Sequence, residues 1–328
     1  MFKPKPALIG YGDKTLGHDW SVAIQGQIGS FSHQVVSNVF PHMSDGTNVS
    51  CHDDFEGPFN EVAQYKRRNR KLAVVPVENT IAGNVPYVFN LFRHSNLSII
   101  GEYFLGVQFH LLIRPEANIL DVKEVHSHVH ALAQCSEYID RHPQWRSVVN
   151  PDTAGAAKMV SEQDDPSIAA IASRFAAQVY GLKVADQHIQ DRRDPITRFM
   201  VFHQDEMIPN INSIGDDLPR HRFVSNIYIK PKRSIERPVT EILRVFSQVM
   251  PDRAEPVLEK YKGNNLRHEG YLAEVMGHRD EKVMGQLIER LNSICSHVEE
   301  FGCYYAHHYH RFPHRAGKQL GSGKYQFD

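Results

Sequence analysis

Val74-Val75-Pro76-Val77-Glu78-Asn79-Thr80, residues 74–80, is the stretch that decides the fold of this chain. Residues 72–77 form a nearly continuous apolar run, which is typical of a strand buried on both faces of a sheet. Three polar residues, Glu78, Asn79 and Thr80, follow at its carboxyl end. Ligands of open α/β sheets bind at such ends, so the stretch predicts a ligand-binding edge. Taken alone, it is also compatible with a turn and helix cap.

Strand and helix patterns alternate on both sides of this stretch. Strands are predicted at residues 22–25, 48–51, 122–125, 147–149 and 168–172, and two more between 97 and 113 with a break near 101–106. Helices are predicted from Ser30 or Ser32 to residue 40, and at 55–66, 85–92, 129–139, 154–160 and up to Tyr180. The alternation predicts a mainly parallel sheet architecture.

A different order of elements follows a Pro-, Asn- and Gly-containing linker at residues 206–221. The pattern over residues 222–306 is β-α-β-β-α-β, which predicts a ferredoxin-like α+β domain. Residues 307–328 read as a basic tail. Its histidines, from His307 to His314, allow a metal site but carry no cysteine or carboxylate at a recognised ligand spacing, which favours a solvated tail.

Composition excludes several classes of protein. The 328 residues carry 37 Lys+Arg and 38 Asp+Glu, a formal net charge of −1, which argues against a nucleic-acid-binding protein. The four cysteines form no CxxC pair, and no segment has the apolar core of a signal peptide or the length of a membrane span. The sequence predicts a cytoplasmic protein with no membrane partner.

Two further segments place polar side chains next to predicted strands. Ser127-His128 follows a strand and opens a helix, where a hydroxyl and free N–H groups suit a carboxylate or phosphate. Thr197-Arg198 begins a later strand, and the arginine could pair with a carboxylate. Each segment alone is commonly structural, as an N-cap or a surface ion pair.

Five motifs in one order resemble the prephenate dehydratase family. They are G-x-x-G-S-F-S-H at 26–33, V-P-V-E-N-T at 75–80, S-H-x-x-A-L-A-Q-C at 127–135, I-A-S-x-x-A-A at 171–177 and T-R-F at 197–199. The resemblance covers residues 22–202, and the following pattern is similar to the regulatory ACT domain of that family. It implies a periplasmic-binding-protein-like catalytic region at 21–205 after a lead at 1–20, with lobe one at 21–100 and 187–205 and lobe two at 101–186.

The resemblance implies conversion of prephenate to phenylpyruvate, driven by aromatisation and needing no metal or organic cofactor. By analogy with the family, Thr197 assists the leaving hydroxide, while Asn79 and Gln134 position the substrate. The substrate-binding residues it implies are Ser32, Glu78, Thr80, Ser127, His128, Thr153, Arg198 and Phe199. Family members commonly form homodimers or homotetramers.

Departures from the family pattern leave the reaction open. Pro195 stands where the family usually has asparagine, and Asp152 where it usually has serine. A prephenate decarboxylase that keeps the ring hydroxyl therefore remains an alternative. A non-catalytic small-molecule sensor is a second alternative, because two lobes around a cleft can simply bind a ligand. The Gly-Ala-Leu and Glu-Ser-Arg-Pro segments that bind phenylalanine in the family's regulatory domain are absent, which predicts weak or lost feedback.

Overall fold

A computed structural model describes residues 19–65, 70–81, 83–192, 195–205, 222–262 and 269–306. The predicted linker and tail, and all but the last two residues of the predicted lead, lie outside these ranges. Within them, one compact unit comprises residues up to 88 together with 104–199, and a second comprises 89–103 together with residues from 200 onward.

The first sheet is built around the strand that the opening stretch predicted. Its strands are β1 (Ser21–Gln25), β2 (Val49–His52), β3 (Lys71–Asn79), β4 (Gly83–Asn84), β5 (Ser98–Gly106) and β11 (Ile196–His203). They lie in the order β2-β1-β3-β11-β5, with β4 paired to β3, and β1 is parallel to both β2 and β3. Residues 71–75 of β3 are buried on both faces, as the apolar run predicted.

The helices of this lobe follow its strands. They are α1 (Phe31–Val39), α2 (Glu56–Gln64) and α3 (Pro86–Ser95). Of the two serines predicted to cap the first helix, Ser30 does so, since its hydroxyl accepts a hydrogen bond from the His33 amide at 3.3 Å.

The second sheet carries the helices of the other lobe. Its strands are β6 (His110–Ile113), β7 (Glu124–Ser127), β8 (Arg146–Val149), β9 (Ile168–Ala172) and β10 (Lys183–Asp186), and its helices are α4 (Val129–Gln134), α5 (Ser136–Asp140), α6 (Thr153–Glu162) and α7 (Arg174–Tyr180). The order is β10-β6-β9-β7-β8, with β7 parallel to β8 and β9. The residues that follow these three strands therefore share one edge of the sheet.

Two of the predicted boundaries are wrong. The break between β5 and β6 lies at 107–109 and not near 101–106, because pairing with β11 keeps the glycine-containing segment extended. The helix predicted at 129–139 divides at Cys135. Asp191 caps the second piece by accepting hydrogen bonds from the Ser136 hydroxyl at 2.9 Å and the Glu137 amide at 3.1 Å, a contact over more than 50 residues.

The C-terminal sheet has the predicted ferredoxin-like order. Its elements are β12 (Phe223–Pro231), α8 (Pro238–Val249), β13 (Val257–Lys262), β14 (Glu269–Met276), α9 (Lys282–Ile294) and β15 (Cys295–Tyr305). The antiparallel strands lie in the order β13-β14-β12-β15. Ile227, Ile242 and Leu287 are fully buried in the core between this sheet and its helices. The chain is thus a two-lobed α/β region followed by an ACT-type domain.

The other face of this sheet packs on residues 89–103, which belong to the same unit. The Arg93 guanidinium lies 4.3 Å from the centre of the Tyr228 ring, and Phe92 meets Phe301 edge-on at 4.7 Å. At Gly302, φ is +140° and an added Cβ would clash with the Ile99 carbonyl oxygen. A side chain at position 302 would therefore force the two backbones apart.

No helix among the described residues is long and apolar enough to cross a membrane.

Candidate active site

Asn79 and Thr197 lie at the centre of the predicted site. The Asn79 amide Nδ2 donates a hydrogen bond to Thr197 Oγ1 at 2.8 Å, and Asn79 Oδ1 accepts one from the Ile81 amide at 2.9 Å. Asn79 is half-buried, and Thr197 is 9% exposed. Because Thr197 Oγ1 accepts from Asn79, the Thr197 hydroxyl hydrogen is directed towards another partner.

Thr80 joins the same two strand ends beside this pair. Its amide donates to the Ile196 carbonyl at 3.0 Å, and its hydroxyl accepts from the Ile196 amide at 3.0 Å. Thr80 therefore fixes the register of the strand start that carries Thr197. Glu78 is half-buried and pairs with Asn84 across β3 and β4.

Arg198 and Phe199 follow Thr197 into the protein interior. Arg198 is 8% exposed, and its guanidinium lies 5.6 Å from the centre of the Phe104 ring, a cation–π contact. Phe199 is 1% exposed and belongs to the core. The structure therefore places Arg198 as a buried cation one residue from Thr197, instead of on the surface.

Ser127, His128 and Thr153 share the edge of the second sheet. The Ser127 hydroxyl is fully buried and donates to the Ile171 carbonyl at 2.6 Å, so it cross-links β7 to β9. A contact from Ser127 to a carboxylate requires that hydroxyl to leave Ile171. His128 is the N-cap of α4, and half-buried Thr153 begins α6, whose N-cap Asp152 accepts from the Gly155 amide at 2.7 Å.

Gln134 stands at the last position of α4 and is half-buried. Its backbone carbonyl accepts a hydrogen bond from the Asp191 backbone amide at 2.7 Å. This contact ties the end of α4 to the segment that returns from lobe two to lobe one.

That returning segment pairs with the segment that leads from lobe one into lobe two. Apart from Pro195, the residues that make these bonds were not singled out from the sequence. The Ile189 amide donates to the Phe109 carbonyl at 3.0 Å, and the Phe109 amide donates to Gln190 Oε1 at 3.1 Å. Pro195 keeps a role despite its missing N–H, since its carbonyl accepts from the Val107 amide at 2.7 Å. No local sequence pattern marks these bonds, because their partners are remote along the chain.

The G-x-x-G-S-F-S-H motif has a structural role at the lobe boundary. His33 is fully buried, and its Nδ1 accepts from the Gly29 amide at 3.0 Å, so its Nε2 hydrogen faces the Met43 carbonyl at 3.3 Å. Gly29 has φ +84° and packs on Tyr180 of α7. Ser32 is buried inside α1.

His33 and His128 carry little positive charge at neutral pH. Burial lowers the pKa of His33, and burial together with the neighbouring His130 lowers the pKa of His128. These two imidazoles are therefore poorly suited to neutralise the charge of an anionic substrate. In the described parts of the chain, no group of three or more His, Cys, Asp or Glu side chains could hold a metal ion.

A cavity of about 350 Å³ opens where the two lobes meet beside the β1–α1 loop. It is lined by Gln27, Ile28, Cys51, Asp53, Lys158 and Tyr180. None of the predicted site residues lines it, so we place the candidate active site by the strand-end geometry at Asn79 and Thr197.

Comparison with known proteins identifies the family. The sequence model described as prephenate dehydratase matches residues 22–207. The chain belongs to the prephenate dehydratase family. The match spans both lobes and includes every residue predicted for the site.

Curated relatives in this family come from plants and bacteria. The chain is 35% identical over 193 residues to arogenate dehydratase/prephenate dehydratase 2 of Arabidopsis thaliana, a chloroplastic protein, covering 59% of this chain and 49% of the relative. It is 25% identical over 292 residues to the bifunctional chorismate mutase/prephenate dehydratase of Enterobacter agglomerans, covering 88% and 71%. The chain thus spans about half the length of the plant relative.

Solved structures share the fold over most of the chain. Prephenate dehydratase from Arthrobacter aurescens in complex with L-Phe has a TM-score of 0.72 at 24% identity and covers 87% of this chain and 90% of that one. GqqA, described as a novel type of quorum-quenching acylase, has a TM-score of 0.73 at 25% identity and covers 88% and 99%. The fold alone therefore does not decide the reaction.

Proposed function

We propose that the chain is a prephenate dehydratase, which converts prephenate to phenylpyruvate, carbon dioxide and water. The bond from the ring to its carboxylate breaks and its electron pair enters the ring. The carbon–oxygen bond at the opposite ring position then breaks, and the departing hydroxide takes up a proton. The observation that carries the proposal is the Asn79–Thr197 hydrogen bond, within a chain that belongs to this family.

Thr197 supplies the hydrogen bond to the leaving hydroxyl in this proposal. Its Oγ1 accepts from Asn79 at 2.8 Å, which turns its own O–H away from Asn79. Threonine is a weak acid, so its contribution is electrostatic stabilisation of the departing oxygen and not complete proton transfer. Asn79 orients that donor, and Gln134 positions the substrate from the other lobe.

The carboxylate end of prephenate faces lobe two when its hydroxyl faces Thr197. The ring carboxylate and the pyruvyl side chain, which ends in the second carboxylate, are both attached at the ring carbon opposite the hydroxyl, so both carboxylates point away from lobe one. We place Glu78, Thr80, His128, Thr153 and Arg198 around the substrate, while Ser32, Ser127 and Phe199, which are buried, support the site from the protein interior. Arg198 is a buried cation beside Thr197 on the lobe-one side, so its charge favours a dianionic ligand from a distance and not by pairing with a carboxylate.

Product identification tests the proposal. Incubation of the purified chain with prephenate is expected to yield phenylpyruvate and carbon dioxide. A dihydro-hydroxyphenylpyruvate would instead select the decarboxylase alternative, which Pro195 and Asp152 keep open. Tight binding of prephenate without turnover would select the small-molecule sensor.

The remaining proposals concern assembly, regulation and location. We place the enzyme in the cytoplasm, in line with its four free cysteines, and as a homodimer or homotetramer, since family members commonly assemble in these ways. We also propose that phenylalanine binds its ACT-type domain weakly or not at all, because the two family signatures are absent.

A further inference from the structure

Three basic side chains meet where β6 begins. The rings of His110 and His188 lie 5.2 Å apart, centre to centre, and Arg174 is close enough for its charge to act on His110. His110 is 2% exposed, while Arg174 and His188 are exposed above it. The arrangement is a buried imidazole beneath two solvent-facing basic groups.

The backbone of His188 is held in an unusual conformation. Its φ is +54°, which costs free energy for a residue other than glycine or asparagine. Its amide donates to His110 Nδ1 at 3.3 Å, so that nitrogen is unprotonated. His110 therefore helps to hold His188 in the conformation that keeps its ring beside the cluster.

The nearby acidic side chains are committed elsewhere. Asp186 accepts from the Tyr138 hydroxyl at 2.8 Å and from the Gln187 amide at 2.7 Å, and Asp191 caps α5. Arg174 donates to the neutral amide oxygen of Gln187 at 2.6 Å, and no ion pair to it is found in the described ranges. Burial, and after it the charges of Arg174 and His188, lower the pKa of His110 to about 4. Among the described residues, the permanent charge of Arg174 is thus not paired with a carboxylate.

The cluster lies on the edge of the second sheet that also carries Ser127. His110 pairs with Ala172, the last residue of β9, and Arg174 follows two residues later. Ser127 ends β7, which is the next strand on the other side of β9. Two strand spacings of about 4.8 Å put the start of β6 roughly 10 Å from the end of β7. Side chains from these two strand ends can therefore reach one small ligand that lies between them.

We propose that Arg174 and His188 form a subsite for the side-chain carboxylate of the substrate, with His110 as a positioning residue, and that this subsite makes the chain prefer prephenate to arogenate. The inference rests on the proposed function. Prephenate carries a neutral keto group next to this carboxylate, whereas arogenate carries an ammonium group. A cationic subsite repels that ammonium group, so the discrimination comes from the cluster itself.

Steady-state kinetics of Arg174→Gln with both substrates tests the subsite. We expect kcat/KM for prephenate to fall at least tenfold and that for arogenate to fall less than threefold, so the preference narrows. Arg174→Lys should keep most of the preference, and His188→Asn, which tolerates the left-handed backbone, should narrow it. Equal losses for both substrates, or no loss, would overturn the proposal.

Lys183→Gln is the matched control, because Lys183 is an exposed cation on the same sheet. It pairs with Ile113 at the far end of β6, away from His110, so its loss should leave the preference unchanged. If the wild-type chain turned over neither substrate, the proposed function would fail, and the subsite would then be judged by calorimetric binding of prephenate. A tenfold weaker affinity in Arg174→Gln would support the subsite, and an equal affinity would refute it.

Discussion

Asn79 and Thr197 are 118 residues apart in the sequence, yet the amide of one donates to the hydroxyl of the other at 2.8 Å. The bond joins the carboxyl end of β3 to the start of β11, two neighbouring strands of the first sheet. It gives the threonine hydroxyl a defined direction. The chemistry proposed for Thr197 depends on that direction as much as on the hydroxyl itself.

Loss of the Thr197 hydroxyl should abolish most turnover. Thr197→Ala is expected to lower kcat by about 100-fold or more, the usual cost of removing a donor to a developing oxyanion. Thr197→Ser keeps the hydroxyl and should retain activity within about tenfold. A loss of this size in the alanine variant, with the circular dichroism spectrum of the wild type, would verify the role. A wild-type kcat in the alanine variant would refute it.

Reversing the polarity of the Asn79 bond should be as harmful as removing it. In Asn79→Asp the carboxylate can only accept, so it draws the Thr197 O–H towards itself and away from the substrate. We expect kcat to fall about as far as in Asn79→Ala, on the order of 10-fold to 100-fold.

A double-mutant cycle of Asn79→Ala with Thr197→Ala checks that the two side chains act together. The combined loss in kcat should be smaller than the product of the single losses, since each variant removes the same interaction. Strictly multiplicative losses would mean that Asn79 acts independently of Thr197.

A side chain at position 29 should destabilise the fold. An added Cβ would lie 2.9 Å from Tyr180 Cε2, at a φ of +84°. Gly29→Ala is expected to cost about 2–3 kcal/mol of unfolding free energy, from backbone strain and from displacement of the Tyr180 ring. Urea denaturation measures this loss.

Gly181→Ala separates the two contributions to the Gly29 effect. Gly181 also has a positive φ, +65°, but an added Cβ there meets nothing within 4 Å. Only backbone strain remains, so the expected cost is about 1 kcal/mol. Equal costs in both variants would show that the contact with Tyr180 contributes nothing.

Acid should weaken the fold through His110. Its pKa falls from 6.5 to about 4, chiefly through burial and then through the charges of Arg174 and His188. Between pH 6.5 and pH 4 the unfolded chain binds more protons at this histidine than the folded chain does. The free energy of unfolding is therefore highest above pH 6.5 and decreases as the pH falls towards 4. The expected loss from pH 7 to pH 5 is about 2 kcal/mol.

His110→Asn is the matched variant for that measurement. Asparagine can still accept from the His188 amide but does not titrate. Its unfolding free energy should therefore fall less between pH 7 and pH 5 than that of the wild type, while His33 and His128 titrate in both proteins. An unchanged pH dependence would assign the acid sensitivity to other groups.

Phenylalanine is expected to bind weakly or not at all. Calorimetric titration with L-Phe should show no micromolar site, because residues 237–239 and 259–262 replace the two family signatures. A micromolar dissociation constant would show that the ACT-type domain recognises phenylalanine through other residues.

Local patterns were sufficient for the strands and helices that bury one continuous apolar surface. The run at 72–77 predicted β3, Ser30 was one of the two serines predicted to start a helix, and the helix predicted to end at Tyr180 ends there. The patterns failed at Cys135, where a cap from Asp191 divides a predicted helix. They also failed at residues 101–106, which stay extended because a neighbouring strand pairs with them.

The sequence by itself determined the family, the three-sheet architecture and the strand end at which Asn79 lies, because these depend on the order and spacing of short motifs. Only the tertiary structure placed the Thr197 hydroxyl against Asn79, committed the Ser127 hydroxyl to Ile171 and gathered Arg174, His110 and His188 at the start of β6. Each of those contacts joins residues from different strands or segments. Their distances are set by strand pairing and packing, and no local pattern of residues records them.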